Sequence, residues 1–150
     1  MKKILQVQSL KKYFPIYGGL LSRKVGQVKA VDDVTFDINE GEILGLVGES
    51  GCGKTTVGRM TLRLLEPTSG KIFFEETNLL SLKGKELATI RPKIQIIFQD
   101  PYSSLNPRFT VERVIGEALS VHGLAKGNEL RKKIEILMEK VGLSKMYLKR

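Results

Sequence analysis

The sequence predicts a mixed α/β fold in which helices cover a parallel sheet and a helical piece follows. Three observations carry this expectation. The apolar runs "ILGLV" at 43–47 and "IQIIF" at 94–98 show no alternation, the pattern of strands buried on both faces. A glycine-rich loop follows the first run, and after it Val57, Met60, Leu64 and Leu65 fall on one helical face. Beyond residue 110, apolar residues recur at helical spacing in two separate segments.

The elements follow in chain order. Residues 4–10 alternate as a half-buried strand should, and Val34, Phe36 and Ile38 alternate again. Between them, Pro15 to Lys29 is rich in glycine and lysine and is expected to be a loop. "NEGE" at 39–42 supplies a turn into the first buried run. "EPTSG" at 66–70 ends the helix that begins near Thr55, and "KIFF" at 71–74 restarts a strand. A short helix over 83–91 stops before Pro92, because a residue preceding proline is pushed out of the helical region. In the tail, Val111, Val114, Ile115, Ala118 and Leu119 form one amphipathic helix capped by Thr110. Leu130, Ile134, Leu137, Met138 and Val141 form another, opened by Asn128 and closed by Gly142. The boundary between body and helical piece is expected near residues 100–110.

The chain has 150 residues, 41% of them apolar, enough for one modest domain. Its formal charge is +9, unevenly spread: residues 1–29 hold seven basic side chains and no acidic one. Such an excess fits a solvated face, or apposition to an anionic membrane or a polyphosphate ligand. Dedicated nucleic-acid binding is disfavoured, since no RNP motif, zinc spacing or basic-aromatic ladder is present. The one cysteine, Cys52, excludes an internal disulfide and suits a reducing compartment. The longest uncharged run, 13–22, has ten residues and is broken by Pro15, Gly18 and Gly19, whereas a spanning helix needs about twenty. No targeting leader and no direct membrane span are expected.

"LVGESGCGKTT" at 46–56 is the stretch that carries chemistry. Gly48, Gly53, Lys54 and Thr55 fit G-x-x-x-x-G-K-[ST], with a buried run before and an amphipathic helix after. Glycines at 48, 51 and 53 let backbone N–H groups curl inward around an anion, and the helix starting near Thr55 aims its positive end at the same spot. Lys54 can reach the β- and γ-phosphates of a nucleoside triphosphate, and the Thr55 hydroxyl can ligate Mg²⁺. The expected contacts to the nucleotide are Gly48, Ser50, Gly51, Cys52, Gly53, Lys54, Thr55 and Thr56. Cys52 occupies an unrestricted position, its thiol serving as filler. By itself this loop implies only a protein that binds a nucleoside triphosphate.

Two stretches narrow the class. "GESGCGKTT" resembles the nucleotide-binding subunits of ABC transporters, and "IIFQDPYSSLNPR", in the 94–108 stretch, resembles their Q-loop in the form carried by dipeptide and oligopeptide importers. "KAVDDVTFDINEGEILGLVGESGCGKTT" and "EPTSGKI" fit as well, so the resemblance spans the chain; "KKYFPI" and "GCGKTTVGR" look more like the F-type ATPase of such a pair than the D-type. The resemblance implies an incomplete P-loop NTPase (RecA-like) ABC nucleotide-binding domain. An N-terminal antiparallel β subdomain would belong to a core over 1–109, and residues 110–150 would begin the helical subdomain. It also implies ATP and Mg²⁺ as ligands, with Gln99 touching Mg²⁺ or the attacking water. An aromatic residue for the adenine would be Phe14 by spacing, with Tyr13 as second choice. Both aromatics could instead plug the core edge, and Gln99 could be an ordinary polar strand end. His122 is taken as a helix-surface residue. The implied partners are a homologous ATPase subunit in a head-to-tail dimer and transmembrane permease subunits, with residues 100–109 near the groove for a coupling helix. The implied location is the cytoplasmic face of the membrane.

The family's pattern continues with a serine-glycine signature, an Asp for the metal shell, a Glu general base and a switch histidine, none of which occurs among these residues. General-base assistance is typically worth ~10²–10⁴-fold in rate. The expectation is therefore an ATP-gripping half with no appreciable turnover of its own. A truncated docking module, or another P-loop NTPase such as a small kinase, are the competing expectations; residues 94–108 argue against the kinase.

Overall fold

The structure is a computed structural model that describes residues 2–19, 22–100 and 102–150. The parts of the expected 15–29 loop and of the 94–108 stretch that fall on Leu20, Leu21 and Pro101 lie outside the described residues. The chain divides into two compact units, one up to Leu87 and one from Ala88 onward.

The first unit is built on a four-stranded antiparallel sheet in the order β2-β1-β3-β4. Strand β1 spans Lys3–Gly18 and β2 spans Arg23–Asn39. Strand β3 covers Ser69–Phe74, and β4 is the short Thr77–Asn78. The expected loop over 15–29 is instead the outer half of the β1–β2 hairpin, where Pro15 pairs with Gln27 and Gly18 with Arg23. Glycine, proline and lysine normally punctuate strands, which is why composition suggested a loop. Proline is tolerated here because β1 pairs with β3 only as far as Lys11, leaving the far side of Pro15 without a ladder to donate to.

Val7 and Leu10 are both fully buried although they stand three apart, which strict alternation would send to opposite faces. The register shifts between them, and Ser9 adopts a left-handed φ of 46° with its N–H donating to Thr35 Oγ1 at 2.9 Å. This bulge adds one residue and returns Leu10 to the face of Val7. Gly70 of β3 lies against the bulge so closely that a Cβ there would stand 2.7 Å from Leu10 Cα and 2.8 Å from the carbonyl oxygens of Gln8 and Ser9.

Helix α1, Lys54–Thr61, packs on this sheet through Val57 and Met60, which join Val7, Leu10, Val31, Ile72, Phe74 and Leu79 in the core. It ends earlier than expected, and Leu64 and Leu65 lie outside it. Arg63 takes a left-handed φ of 50°, and the amides of Arg63 and Leu64 close on the carbonyls of Met60 and Arg59 at 2.8 Å each. The Arg63 guanidinium donates to the carbonyls of Leu79 (2.8 Å) and Leu82 (2.5 Å), which holds this non-glycine residue in a conformation usually left to glycine. Helix α2, Gly84–Ile90, matches the short helix expected before Pro92, and a 3₁₀ turn over Arg91–Lys93 follows.

The two apolar runs depart most from expectation. Neither Ile43–Val47 nor Ile94–Phe98 pairs with a strand among the described residues, and Ile43, Val47 and Ile97 are 96%, 95% and 91% exposed. A strand buried on both faces needs hydrogen-bonded neighbours on each edge and helices above and below. The apolar pattern records that environment, and the described residues do not supply it.

In the second unit, α3 (Val111–Val121) and α4 (Gly127–Lys140) pack around Ile134, Met138 and Leu148. Thr110 caps α3 as expected, its hydroxyl accepting from the Arg113 N–H at 3.3 Å. Two more amides of that first turn, of Val111 and Glu112, donate to the carbonyls of Arg150 (2.8 Å) and Leu148 (3.0 Å), so the last residues seal the helix start. Helix α4 begins at Gly127 after Lys126, slightly before the expected Asn128. Gly142 closes it, φ 73°, with Gly142 N–H on Glu139 and Leu143 N–H on Met138. Buried Gly116 lets the helices approach, since a Cβ there would meet Ile134 Cδ1 at 3.1 Å.

Candidate functional site

The turn Asn39–Glu42 sets the entry to the site, with Glu42 N–H donating to Asn39 O at 3.1 Å. From there the chain runs through 43–47 into the glycine-rich loop and α1. Lys54 is the first residue of α1, and its ammonium folds back over the loop to donate to the carbonyls of Gly48 (2.8 Å) and Glu49 (2.6 Å). The Cys52 thiol lies 3.5 Å from the same ammonium. Glycine is required at two points of this curl. A Cβ on Gly48 would stand 2.8 Å from Cys52 Sγ, and one on Gly53 would stand 2.3 Å from the Ala30 carbonyl oxygen. Gly53 also has φ +97°, and as the N-cap it offers no side chain, so no side-chain acceptor satisfies the first amides of α1. Those amides, the helix dipole and one ammonium together make an anion-binding concavity.

The loop forms one wall of a cleft of about 360 Å³ whose lining includes Lys29, Val31 and Asp32 of β2 together with Leu46, Gly53 and Lys54. Sequence reasoning missed Lys29 and Asp32 because the first ends the segment expected to be a loop and the second lies just beyond it. Asp32 accepts the Tyr13 hydroxyl proton on Oδ1 and the Lys29 ammonium on Oδ2, at 3.1 Å for the latter, while Lys29 stands 5.3 Å over the Tyr13 ring. The Tyr13 hydroxyl, then Lys29, hold the Asp32 carboxyl below the usual carboxylate range; the same carboxylate raises both Tyr13 and Lys29. Tyr13 thus reaches the cleft through Asp32, whereas Phe14 is exposed with Lys12 Nζ 5.0 Å above its ring.

A depressed carboxylate stabilises the fold above its unfolded value near 3.9 and loses that contribution as pH falls through the folded value. A raised tyrosine and lysine contribute below their unfolded values, near 10 and 10.4, and lose it as pH rises past the folded ones. Asp32→Asn should therefore lower the melting temperature modestly at pH 7, with the difference closing below about pH 4. A gap that does not narrow at all as pH is lowered from 7 to 2 in thermal melts would rule out an ionised Asp32 as its source.

Ser50 and Gly51 are exposed along the loop, Thr55 is exposed on the first turn of α1, and Thr56 is half-buried. The Thr55 hydroxyl is a hard oxygen of the kind Mg²⁺ takes. Among the described residues no cluster of three or more His, Cys, Asp or Glu gathers to hold a metal, so a divalent ion here would depend on Thr55 and on the oxygens of a bound phosphate chain. Gln99 is exposed and belongs to the second unit, as does the half-buried His122. No helix of the described residues is long and apolar enough to cross a membrane.

A four-stranded antiparallel sheet whose β1–β2 hairpin precedes a G-x-x-x-x-G-K-T loop opening into a helix is the arrangement of a P-loop class of protein. The sequence profile of ABC transporters matches residues 31–150, and the chain belongs to that family. It is 48% identical over 141 residues to the oligopeptide transport ATP-binding protein AppF of Bacillus subtilis, covering 93% of this chain and 43% of that protein. It is 48% identical to OppF of the same organism, covering 99% and 47% respectively. The glutathione import ATP-binding protein GsiA of Pectobacterium atrosepticum is also 48% identical, covering 98% of this chain and 24% of its own length. The chain thus spans less than half of each of these relatives. Among solved structures, the ATP-binding cassette MJ0796 bound to ADP and Pi superposes with a TM-score of 0.75 at 23% identity, over 97% of this chain and 60% of that one. The cbiO1 structure from Clostridium perfringens gives 0.69 at 23% identity, over 100% and 54%. These likenesses establish the cassette fold for the arrangement described above.

Proposed function

We propose that these residues form the ATP-gripping part of the ATP-binding component of a dipeptide or oligopeptide importer. The observation that carries this is the Lys54 ammonium held at the mouth of a glycine-lined loop beside the uncapped start of α1. The names of AppF and OppF support the peptide cargo, and GsiA widens it to a small thiol peptide. In this reading the loop amides from Gly48 to Thr56 and Lys54 cradle the β- and γ-phosphates, and Thr55 ligates Mg²⁺, with Gln99 at the metal or the attacking water. Mg²⁺ would neutralise phosphate charge; the chain's own residues position the phosphates. Phe14 is the adenine platform, with Tyr13 second; its ring already carries a cation above it and stacking on a base is worth roughly 1–3 kcal/mol.

Residues 1–109 would serve as the nucleotide-binding core and 110–150 as the start of a helical subdomain. Partners would be a homologous ATPase subunit facing head to tail and permease subunits that hold the protein at the cytoplasmic face of the membrane. The dimeric MJ0796 cassette supports the first of these. Hydrolysis needs a general base and a signature motif that these residues do not contain, so the chain alone grips ATP without turning it over.

Equilibrium binding of a fluorescent ATP analogue to the purified chain, with a coupled assay for phosphate release, tests this. Saturable Mg-dependent binding without steady turnover is expected. Turnover at the rate of a working ATPase, or no binding at all, would overturn it.

A further inference from the structure

We propose that the outer end of the β1–β2 hairpin seats on an anionic phospholipid surface. Strand β1 leaves β3 at Lys11 but stays paired with β2 through Gly18, so seven residues, Lys12–Gly18, extend as a two-stranded ribbon. At strand rise this carries the end roughly 20 Å past the last β3 pair. The root is tied down: Lys12 Nζ donates to Glu66 O at 2.6 Å, Tyr13 N–H to Thr68 Oγ1 at 2.9 Å, and Lys29 to Asp32. From Phe14 outward, β1 pairs only with β2 among the described residues.

That free end is apolar and cationic at once. Ile16, Val28, Tyr17 and Val25 are 46%, 53%, 62% and 67% exposed. Arg23 and Lys24 pair across the ribbon with Gly18 and Tyr17, and both are exposed. No acidic residue precedes Asp32 in the sequence, so nothing on the ribbon offsets these charges. A two-stranded ribbon is marginal in water, and exposed apolar side chains gathered at its free end mark a contact region. Tyrosine and aliphatic side chains interleaved with Arg and Lys suit the headgroup boundary of a bilayer, the ring at the interface and the cations among lipid phosphates. A nucleic acid would satisfy the cations and leave Ile16, Val25 and Val28 uncovered. An acidic protein surface is the remaining alternative.

The test is co-sedimentation of the full chain with phosphatidylcholine vesicles containing about a third phosphatidylglycerol, against vesicles of phosphatidylcholine alone. Binding to the anionic vesicles is expected, weakening as salt is raised. Arg23→Ala and Lys24→Ala should each weaken it about fivefold. Tyr17→Ser with Val25→Ser should weaken the salt-resistant part, while Lys132→Gln with Lys133→Gln in α4 should stay within about twofold of the parent. Thermal melts identify any variant that has lost its fold. Independently, Tyr17→Trp places a single tryptophan in a chain that has none, and brominated lipid should quench it. Equal affinity of the hairpin variants and the parent, an unquenched Tyr17→Trp, or no preference for anionic vesicles would each overturn the proposal. No vesicle binding at all would do the same and point to an acidic protein as the occupant.

Discussion

Replacing Lys54 with alanine should lower affinity for Mg-ATP about 10- to 150-fold and leave the melting temperature nearly unchanged. The first figure follows from losing charged hydrogen bonds worth roughly 1.5–3 kcal/mol to an anionic ligand. The second follows from where the ammonium now sits. Among the described residues it donates to the carbonyls of Gly48 and Glu49 and touches Cys52, in a loop whose backbone faces water. Water replaces those bonds in the variant, so no buried acceptor is orphaned. Lys54→Met keeps most of the side-chain bulk without the charge and should behave the same way. Equilibrium titration with the fluorescent nucleotide and a thermal melt decide it. If Lys54→Ala binds like the parent, the loop is not the phosphate site, whatever the hairpin does on vesicles.

Gly53→Ala should damage both fold and binding, with a loss of stability of about 3 kcal/mol or more. The new Cβ would lie 2.3 Å from the Ala30 carbonyl oxygen, a backbone atom of β2 that cannot swing aside as a side-chain tip can. The position also has φ +97°, where a non-glycine residue costs of order 1–3 kcal/mol before any clash. Either β2 moves or the loop opens; both displace Lys54 and the first amides of α1. Gly51→Ala is the matched control: it shares a positive φ of 82° but meets nothing within 4 Å, so it should cost only the backbone strain. Urea denaturation of the two variants distinguishes them, and equal midpoints would show that the contact with Ala30 imposes no constraint.

Much of the local structure was legible because its causes are local. Thr110 caps α3, Gly142 closes α4, and the loop from Gly48 to Gly53 curls under Lys54 for reasons contained in a few consecutive residues. The outer hairpin was not legible, since Pro15, Gly18 and Gly26 signal a loop unless a partner strand at matching distance overrides them. Nor was the early end of α1. The apolar period runs on to Leu65, but Arg63 turns left-handed because carbonyls near residues 79 and 82 hold its guanidinium. Sequence spacing chose Phe14 before Tyr13 for the adenine and had no means of seeing that Asp32 draws Tyr13 toward the cleft.

By itself, the sequence determined the family and the make-up of its loop: glycines, one lysine and a helix start, in a chain of the ABC transporter family. Only the tertiary structure decided where β1 bulges, how far the hairpin extends, and which residues of β2 face the grip. Loop chemistry depends on neighbours along the chain, whereas strand pairing and cleft lining depend on residues tens of positions apart, whose meeting no short window of sequence records.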